Sequence, residues 1–318
     1  MIDPLKTPKR TNRPHFPAWR LVAATAIGAM AIHGFAATTG QLPAWVCQHP
    51  DAVFVDGFAG TPAIVHQPSN GSGGNYPGNL TITFFASGLG FLTYYAHVPS
   101  NYSPSHPMPL MFALHGAGGP NTGDFAAQTV RNDWSATADS GGFIVVAPIG
   151  SDGPNGSWSV PPKAGTTDYD VFVAILANVQ SRYNIDLSRR IGWGYSAGGH
   201  VMHDLILGAY SANVNINTFA AYSVNAGVLA GLACQGLSGA QCTALVAGAN
   251  RKIPLDIHIG TGDSQLYPYA VDDQSRFLVN GWTSNSTLYF TTFNGGHIYT
   301  QQNLAEIWTN LCPFQLLP

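Results

Sequence analysis

Two runs rich in β-branched and aromatic residues, 80–85 and 91–96, flank Gly88-Leu89-Gly90, which is the spacing of a β-hairpin. Four further short runs, 110–114, 143–147, 190–193 and 255–259, are bounded by turn residues. The first two are continuously apolar, as strands buried on both faces are, whereas the last alternates and reads as half covered. Between these runs apolar positions recur at helical spacing. The clearest case is 168–183, where Val171, Phe172, Ile175, Leu176 and Val179 share one face and Asp168 is a candidate cap. A second helix is predicted over 197–207. Strands alternating with helices imply an α/β fold with a mostly parallel central sheet, entered through the antiparallel hairpin and covered by helices on both faces. No internal repeat or second core is visible, so residues 79–318 read as one domain. Residues 37–78 are rich in Gly, Pro, Ser and Asn without sustained periodicity and read as an extended arm.

The first 36 residues differ from the rest. Lys6, Lys9, Arg10, Arg13 and Arg20 precede an apolar run from Leu21 to Ile32, the layout of a secretory signal peptide. That run is shorter than the roughly 18 residues of a spanning helix, and Gly34-Phe35-Ala36-Ala37 offers a small-residue cleavage site. Removal of residues 1–36 and export to an extracellular or periplasmic space are expected, with no membrane attachment afterwards; an uncleaved anchor is the alternative. Charged residues make up only 9% of the chain and the formal net charge is -3, so the electrostatic footprint of a nucleic-acid binder is missing. Cys47, Cys234, Cys242 and Cys312 form an even set in a compartment that permits disulfides. Three pairings are open. A local Cys234 to Cys242 bridge is the simplest, leaving Cys47 to tie the arm to Cys312. Zinc would need closely spaced ligand pairs that these spacings do not supply.

The candidate chemistry lies at strand ends. Gly194-Tyr195-Ser196-Ala197-Gly198 follows the strand 190–193 and opens the helix 197–207, the strand-turn-helix setting of a nucleophile elbow. Upstream, His115-Gly116-Ala117-Gly118-Gly119 ends the strand 110–114. A glycine-rich turn there lets main-chain N–H groups approach a developing oxyanion, with Ala117 and Ala197 as the donor candidates. Downstream, Gly260-Thr261-Gly262-Asp263 and Asn294-Gly295-Gly296-His297 each offer one partner for Ser196. Serine is a weak nucleophile that needs an imidazole to take its proton and a carboxylate to fix that imidazole's tautomer. The order Ser196, Asp263, His297 is the α/β-hydrolase order. Asp272 and Asp273 are rivals for the acid; His258, inside a strand, reads as a core histidine. His200, His203 and Asp204 could suggest a metal site at helical spacing, but they lie on the helix that must pack under the sheet, and no metal or cofactor is expected. Trp134, Trp158, Tyr195, Tyr267 and Tyr269 are expected to face the cleft, with His115, Trp158 and Tyr195 as the substrate-binding candidates.

Several of these segments occur together in one group of proteins. Tyr95-Ala96-His97-Val98-Pro99, Pro109 through Gly116, Tyr169-Asp170-Val171-Phe172-Val173, Arg182-Tyr183-Asn184-Ile185-Asp186, Gly194 through Gly199 and His258 through Asp263 resemble the secreted esterases that group polyhydroxybutyrate depolymerases with feruloyl and acetylxylan esterases. The resemblance runs from about Tyr94 to Trp308 and implies Ser196 as nucleophile, Asp263 as acid and His297 as base. The arm before residue 80 has no counterpart in it. Ester hydrolysis through an acyl-enzyme is therefore expected of a monomer acting on a polymeric or small ester. A low-charge, Asn- and Ser-rich surface puts short-chain polyester first, feruloyl or acetyl esters of plant polysaccharide second. A serine peptidase and a non-catalytic binding protein on the same fold are the readings from other classes.

Overall fold

The computed structural model describes residues 38–41, 47, 65–74, 76–208 and 210–317. The expected signal segment 1–36 lies outside the described residues, as does most of 42–64. Strands β1 (Thr38–Gln41), β2 (Gly78–Ala86), β3 (Gly90–Val98), β4 (Met108–Leu114), β5 (Ile144–Pro148), β6 (Ile185–Tyr195), β7 (Ala221–Asn225), β8 (Leu255–Gly260), β9 (Leu288–Phe293) and β10 (Phe314–Leu317) are joined by helices α1 (Gly123–Gly141), α2 (Asp168–Arg182), α3 (Ala197–Leu207), α4 (Gly239–Ala247), α5 (Tyr267–Val279) and α6 (Gln301–Leu311). Eight strands form one sheet in the order β2-β3-β5-β4-β6-β7-β8-β9. The β2–β3 and β3–β5 pairs are antiparallel and the others parallel, so the hairpin entry and the parallel body are as the hydrophobic pattern predicts.

The continuous apolar strands divide their residues between two cores by the period-2 pleat. From β4 and β5, Leu110, Phe112, Leu114, Ile144 and Val146 join the core under α2, α3 and α5; Met111, Ala113, Val145 and Ala147 join the core under α1 and α6. Trp134, expected at the cleft, is fully buried in the second core, edge-on to Trp193 with ring centroids 5.5 Å apart. It lies on the α1 stripe Ala127, Val130, Trp134, Ala138, whose i, i+3, i+4 spacing turns it onto the sheet. The expected half-covered strand β8 is buried along its whole length. Helices cover both faces there, and its polar residues pair inside the protein: Asp256 accepts from Asn310 Nδ2 at 3.0 Å and its other oxygen stands 3.0 Å from His258 Nε2. The α2 cap falls one residue before the expected Asp168, at Thr167, whose N–H donates to the Asp170 carboxylate at 2.8 Å. Strand β7 escapes the sequence pattern because Ser223 and Asn225 interrupt its apolar run, yet both are fully buried.

The described parts of the arm are fastened down. Strand β1 pairs antiparallel with β10, and Val65 N–H donates to Gln315 Oε1 at 3.0 Å. Asp186 at the start of β6 accepts from the Gln67 N–H at 3.1 Å and lies 2.7 Å from His66 Nδ1. Gly71 sits where a Cβ would come within 2.3 Å of the Gln180 carbonyl, an approach only glycine allows. Disulfides join Cys47 to Cys312 and Cys234 to Cys242. The first spans 265 residues and the second 8. Loop-closure entropy in the unfolded chain then makes Cys47→Ser with Cys312→Ser the costlier pair to remove, by about 3 kcal/mol over Cys234→Ser with Cys242→Ser. Denaturant unfolding of the two double variants measures that difference directly.

Candidate active site

Four chain segments converge at the C-terminal ends of β4, β6, β8 and β9. Tyr195 ends β6 and Ser196 turns the chain into α3 with φ 51° and ψ -118°. A positive φ at a non-glycine residue is strained and persists only where surrounding contacts enforce it. Here the flanking glycines do so. A Cβ on Gly194 would lie 2.2 Å from the Gly198 carbonyl oxygen, and one on Gly198 would lie 2.4 Å from that of Leu114. The helix thus starts hard against the ends of β4 and β6, and Ser196 N–H is held by the Asn225 carbonyl at 2.8 Å.

Ser196 Oγ lies 2.8 Å from His297 Nε2, and His297 Nδ1 lies 2.6 Å from Asp263 Oδ2. The structure therefore brings together the three residues the sequence motifs single out. Asp263 is buried and its other oxygen accepts the Leu266 N–H at 3.2 Å, while the His297 side chain is 42% exposed and open to the cleft. The two loops are zipped to each other: Gly262 N–H donates to Gly295 O at 2.7 Å and Thr261 N–H to Phe293 O at 2.9 Å. The loop 115–119 lies over the elbow, since a Cβ on Gly116 would come within 3.1 Å of Ser196 Cβ and 2.9 Å of the Tyr195 ring. Ala117 is exposed on this loop. Ala197 opens α3, so its N–H is one of the first-turn donors a helix leaves without an internal partner.

The other expected contacts are redistributed. His115 and Trp158 do not line the cleft: His115 has no exposed surface and Trp158 is 6% exposed. Their rings stack at 4.3 Å; Trp158 Nε1 donates to the His115 carbonyl at 2.9 Å, and His115 accepts from Gly150 N–H at 3.0 Å and donates from Nδ1 to Gly116 O at 2.8 Å. Burial lowers the His115 pKa, so the ring stays neutral and braces the turn from behind. Tyr195 is half-buried at the site, but its hydroxyl is committed to the His297 carbonyl at 2.6 Å. Behind it, Tyr299 meets the Tyr195 ring edge-on and donates to Asp133 of α1 at 2.6 Å. No motif signals that chain of contacts. Tyr267 and Tyr269 lie in the first turn of α5, Tyr269 exposed.

His200, His203 and Asp204 are held by separate partners. His200 Nδ1 lies 3.0 Å from Val228 N, His203 Nδ1 lies 3.1 Å from the Tyr222 hydroxyl, and Asp204 accepts from the Tyr169 hydroxyl at 2.6 Å. Of the rival acids, Asp272 pairs with Arg276 on the surface, and Asp273 is buried and accepts the Leu229 N–H at 2.8 Å.

No protein-family model matches the chain. A solved ferulic acid esterase superposes with a TM-score of 0.56 at 17% identity, covering 74% of this chain and 97% of that one. The chain has the α/β-hydrolase fold. In sequence the chain is similar to the bifunctional acetylxylan esterase/xylanase XynS20E of Neocallimastix patriciarum, 34% identical over 105 residues, which are 33% of this chain and 14% of that protein. It is also similar to the probable feruloyl esterase C of Aspergillus flavus, 33% identical over 147 residues, 45% of this chain and 48% of the relative. The matches thus span less than half the length of these relatives.

Burial pushes the Asp273 carboxyl up to about 7 from an ordinary 3.8. A carboxyl that holds its proton more tightly when folded gives stability that is whole below about pH 4 and lost as the pH rises through 7. Asp273→Asn keeps an acceptor for Leu229 N–H and removes that loss. The variant is expected to match the parent at pH 4 and to exceed it by a few kcal/mol at pH 8, read from urea unfolding at both pH values.

Proposed function

We propose that this α/β-hydrolase is a serine carboxylesterase that removes feruloyl or acetyl groups from plant polysaccharide. The observation that carries the reading is the continuous set of contacts from Ser196 Oγ through His297 to Asp263, at 2.8 and 2.6 Å. With His297 Nδ1–H donating to the carboxylate, Nε2 is left as an acceptor for the serine proton. Ser196 Oγ attacks the ester carbonyl as that proton moves to Nε2, and the oxyanion that forms meets the main-chain N–H groups of Ala117 and Ala197. Collapse breaks the bond to the alcohol oxygen, which leaves with the proton from His297. A water molecule, deprotonated by the same nitrogen, then attacks the acyl-serine and releases the carboxylic acid and free Ser196. Water is the only co-reactant, and one copy of the chain holds all the groups the cycle uses.

For the acyl group, the similarity to feruloyl and acetylxylan esterases favours plant polysaccharide esters over the short-chain polyester that surface composition alone suggests. Secretion fits the same reading, because the two disulfides belong to an oxidising compartment.

The test is a panel of methyl ferulate, acetylated xylan, polyhydroxybutyrate film and a peptide amide. Turnover of the first two is expected, with Ser196→Ala lowering kcat by about ten-thousand-fold or more. Turnover of film or amide alone would replace the substrate class, and unchanged activity in Ser196→Ala would overturn the site. Tyr195→Phe removes one hydrogen bond that positions the His297 loop. Its expected effect is a fall in kcat on methyl ferulate of about tenfold with KM unchanged, measured by steady-state kinetics.

A further inference from the structure

The β2–β3 hairpin carries a feature that the chemistry of Ser196 does not use. At its tip Phe85 and Phe91 are direct cross-strand partners, with ring centroids 5.5 Å apart and planes at 70°. Both rings are turned outward, 66% and 78% exposed. The next rung on the same face is a hydroxyl pair, Thr83 Oγ1 and Thr93 Oγ1 at 2.8 Å. No charged residue occurs anywhere from 78 to 96, although β2 is an edge strand of nine residues. Edges of this kind are usually blunted by charge or proline, and large apolar side chains clustered in water mark an interaction site.

The register fixes where this surface stands. Tyr94 of β3 is level with Pro148 at the C-terminal end of β5, and Leu114 of β4 is level with Gly194 of β6. The chain from Tyr94 back to Phe91 therefore rises about 10 Å beyond the sheet at the same end as Ser196. Three strand steps separate β3 from β6 in the order β3-β5-β4-β6, about 14 Å across the sheet. The ring pair faces the α1 side, as Tyr95 does through its hydrogen bond to Asp124 at 2.9 Å. Phe125, the next residue of α1, is 69% exposed and follows closely on the loop that carries Ala117.

We infer that the Phe85–Phe91 rung, its threonine rung and Phe125 form a polymer-binding subsite on the catalytic rim, occupied by the neutral sugar chain that bears the ester. This rests on the esterase reading of Ser196. Aromatic rings next to hydroxyls match a pyranose chain, which presents C–H faces and hydroxyl groups in alternation and carries no charge. An aliphatic polyester offers the threonine rung acceptors alone, whereas sugar hydroxyls both donate and accept.

The experiment uses the full chain carrying Ser196→Ala, so that binding is read without turnover, with and without Phe85→Ser and Phe91→Ser. Retention is measured on insoluble acetylated xylan and on polyhydroxybutyrate film, and solution mass by sedimentation. The serine pair is expected to weaken xylan retention about tenfold and to leave retention on film unchanged. In the active enzyme the same pair is expected to keep kcat/KM on methyl ferulate within about twofold while acyl release from xylan falls about tenfold. Unchanged xylan retention overturns the subsite. So does a loss confined to film, which would assign the rung to polyester, or a fall in solution mass, which would assign it to a second copy of the chain. An active form that hydrolyses no ester, with xylan retention still dependent on the rings, would remove the esterase reading and leave the sugar subsite standing.

Discussion

The close crossing of backbone at Ser196 is the constraint on which the rest of the site depends. Three segments, the end of β4, the end of β6 and the first turn of α3, meet at distances that no Cβ would permit at Gly194 or Gly198. That crowding holds Ser196 at a positive φ, a conformation costing of order 1–3 kcal/mol, with its Oγ 2.8 Å from His297 Nε2. The offset comes from the two cores on either face, which pin β4 and β6 by residues with almost no exposed surface. The strain is localised at one residue, and the fixed strands around it leave the turn no route to relax.

The imidazole is held differently. His297 belongs to an open loop, and its position is set through its backbone rather than by burial. The Tyr195 hydroxyl holds its carbonyl, Tyr299 props the Tyr195 ring, and Asp133 of α1 receives the Tyr299 hydroxyl. Because Tyr195 is the residue before Ser196, one side chain couples the position of Ser196 to that of His297. A chain of three contacts thus ties the His297 loop to a helix packed on the sheet, while the histidine ring keeps both nitrogens for Asp263 and Ser196.

The parts of this arrangement that were legible in the sequence are those governed by local rules. The apolar runs of β4 and β5 and the glycines around Ser196 follow from burial and sterics within a few residues, and Asp263 and His297 each follow a glycine-marked strand end. What was not legible depends on tertiary partners. Trp158 reads as a cleft aromatic until the His115 carbonyl is seen to accept its indole N–H, with both rings buried against each other. Strand β7 reads as too polar until Trp193 donates to Asn225 at 3.1 Å. Strand β8 reads as half exposed until Asn310 arrives from α6, 54 residues on, to satisfy Asp256.

The aspartates show why pattern alone could rank the acid but not explain it. With so few charges, the chain uses buried carboxylates mainly to receive backbone N–H groups of neighbouring loops. Asp168 takes those of Ser151 and Ser159, Asp186 those of Gln67 and Ser188, Asp273 that of Leu229 and Asp263 that of Leu266. Such bonds are stronger where the carboxylate is charged, as at Asp186, whose carboxyl is held below its ordinary range, whereas burial raises those of Asp168 and Asp273; each fastens a loop in a chain poor in salt bridges. Asp263 shares that task through the Leu266 N–H. Asp186, like Asp263, gives its second oxygen to an imidazole, that of His66 at 2.7 Å; what sets Asp263 apart is that the other nitrogen of its imidazole stands 2.8 Å from Ser196 Oγ, and that the loop supplying the imidazole is zipped to its own. Two aspartates with the same bonding thus differ in what stands beyond the imidazole, which is a property of the fold and not of the aspartate.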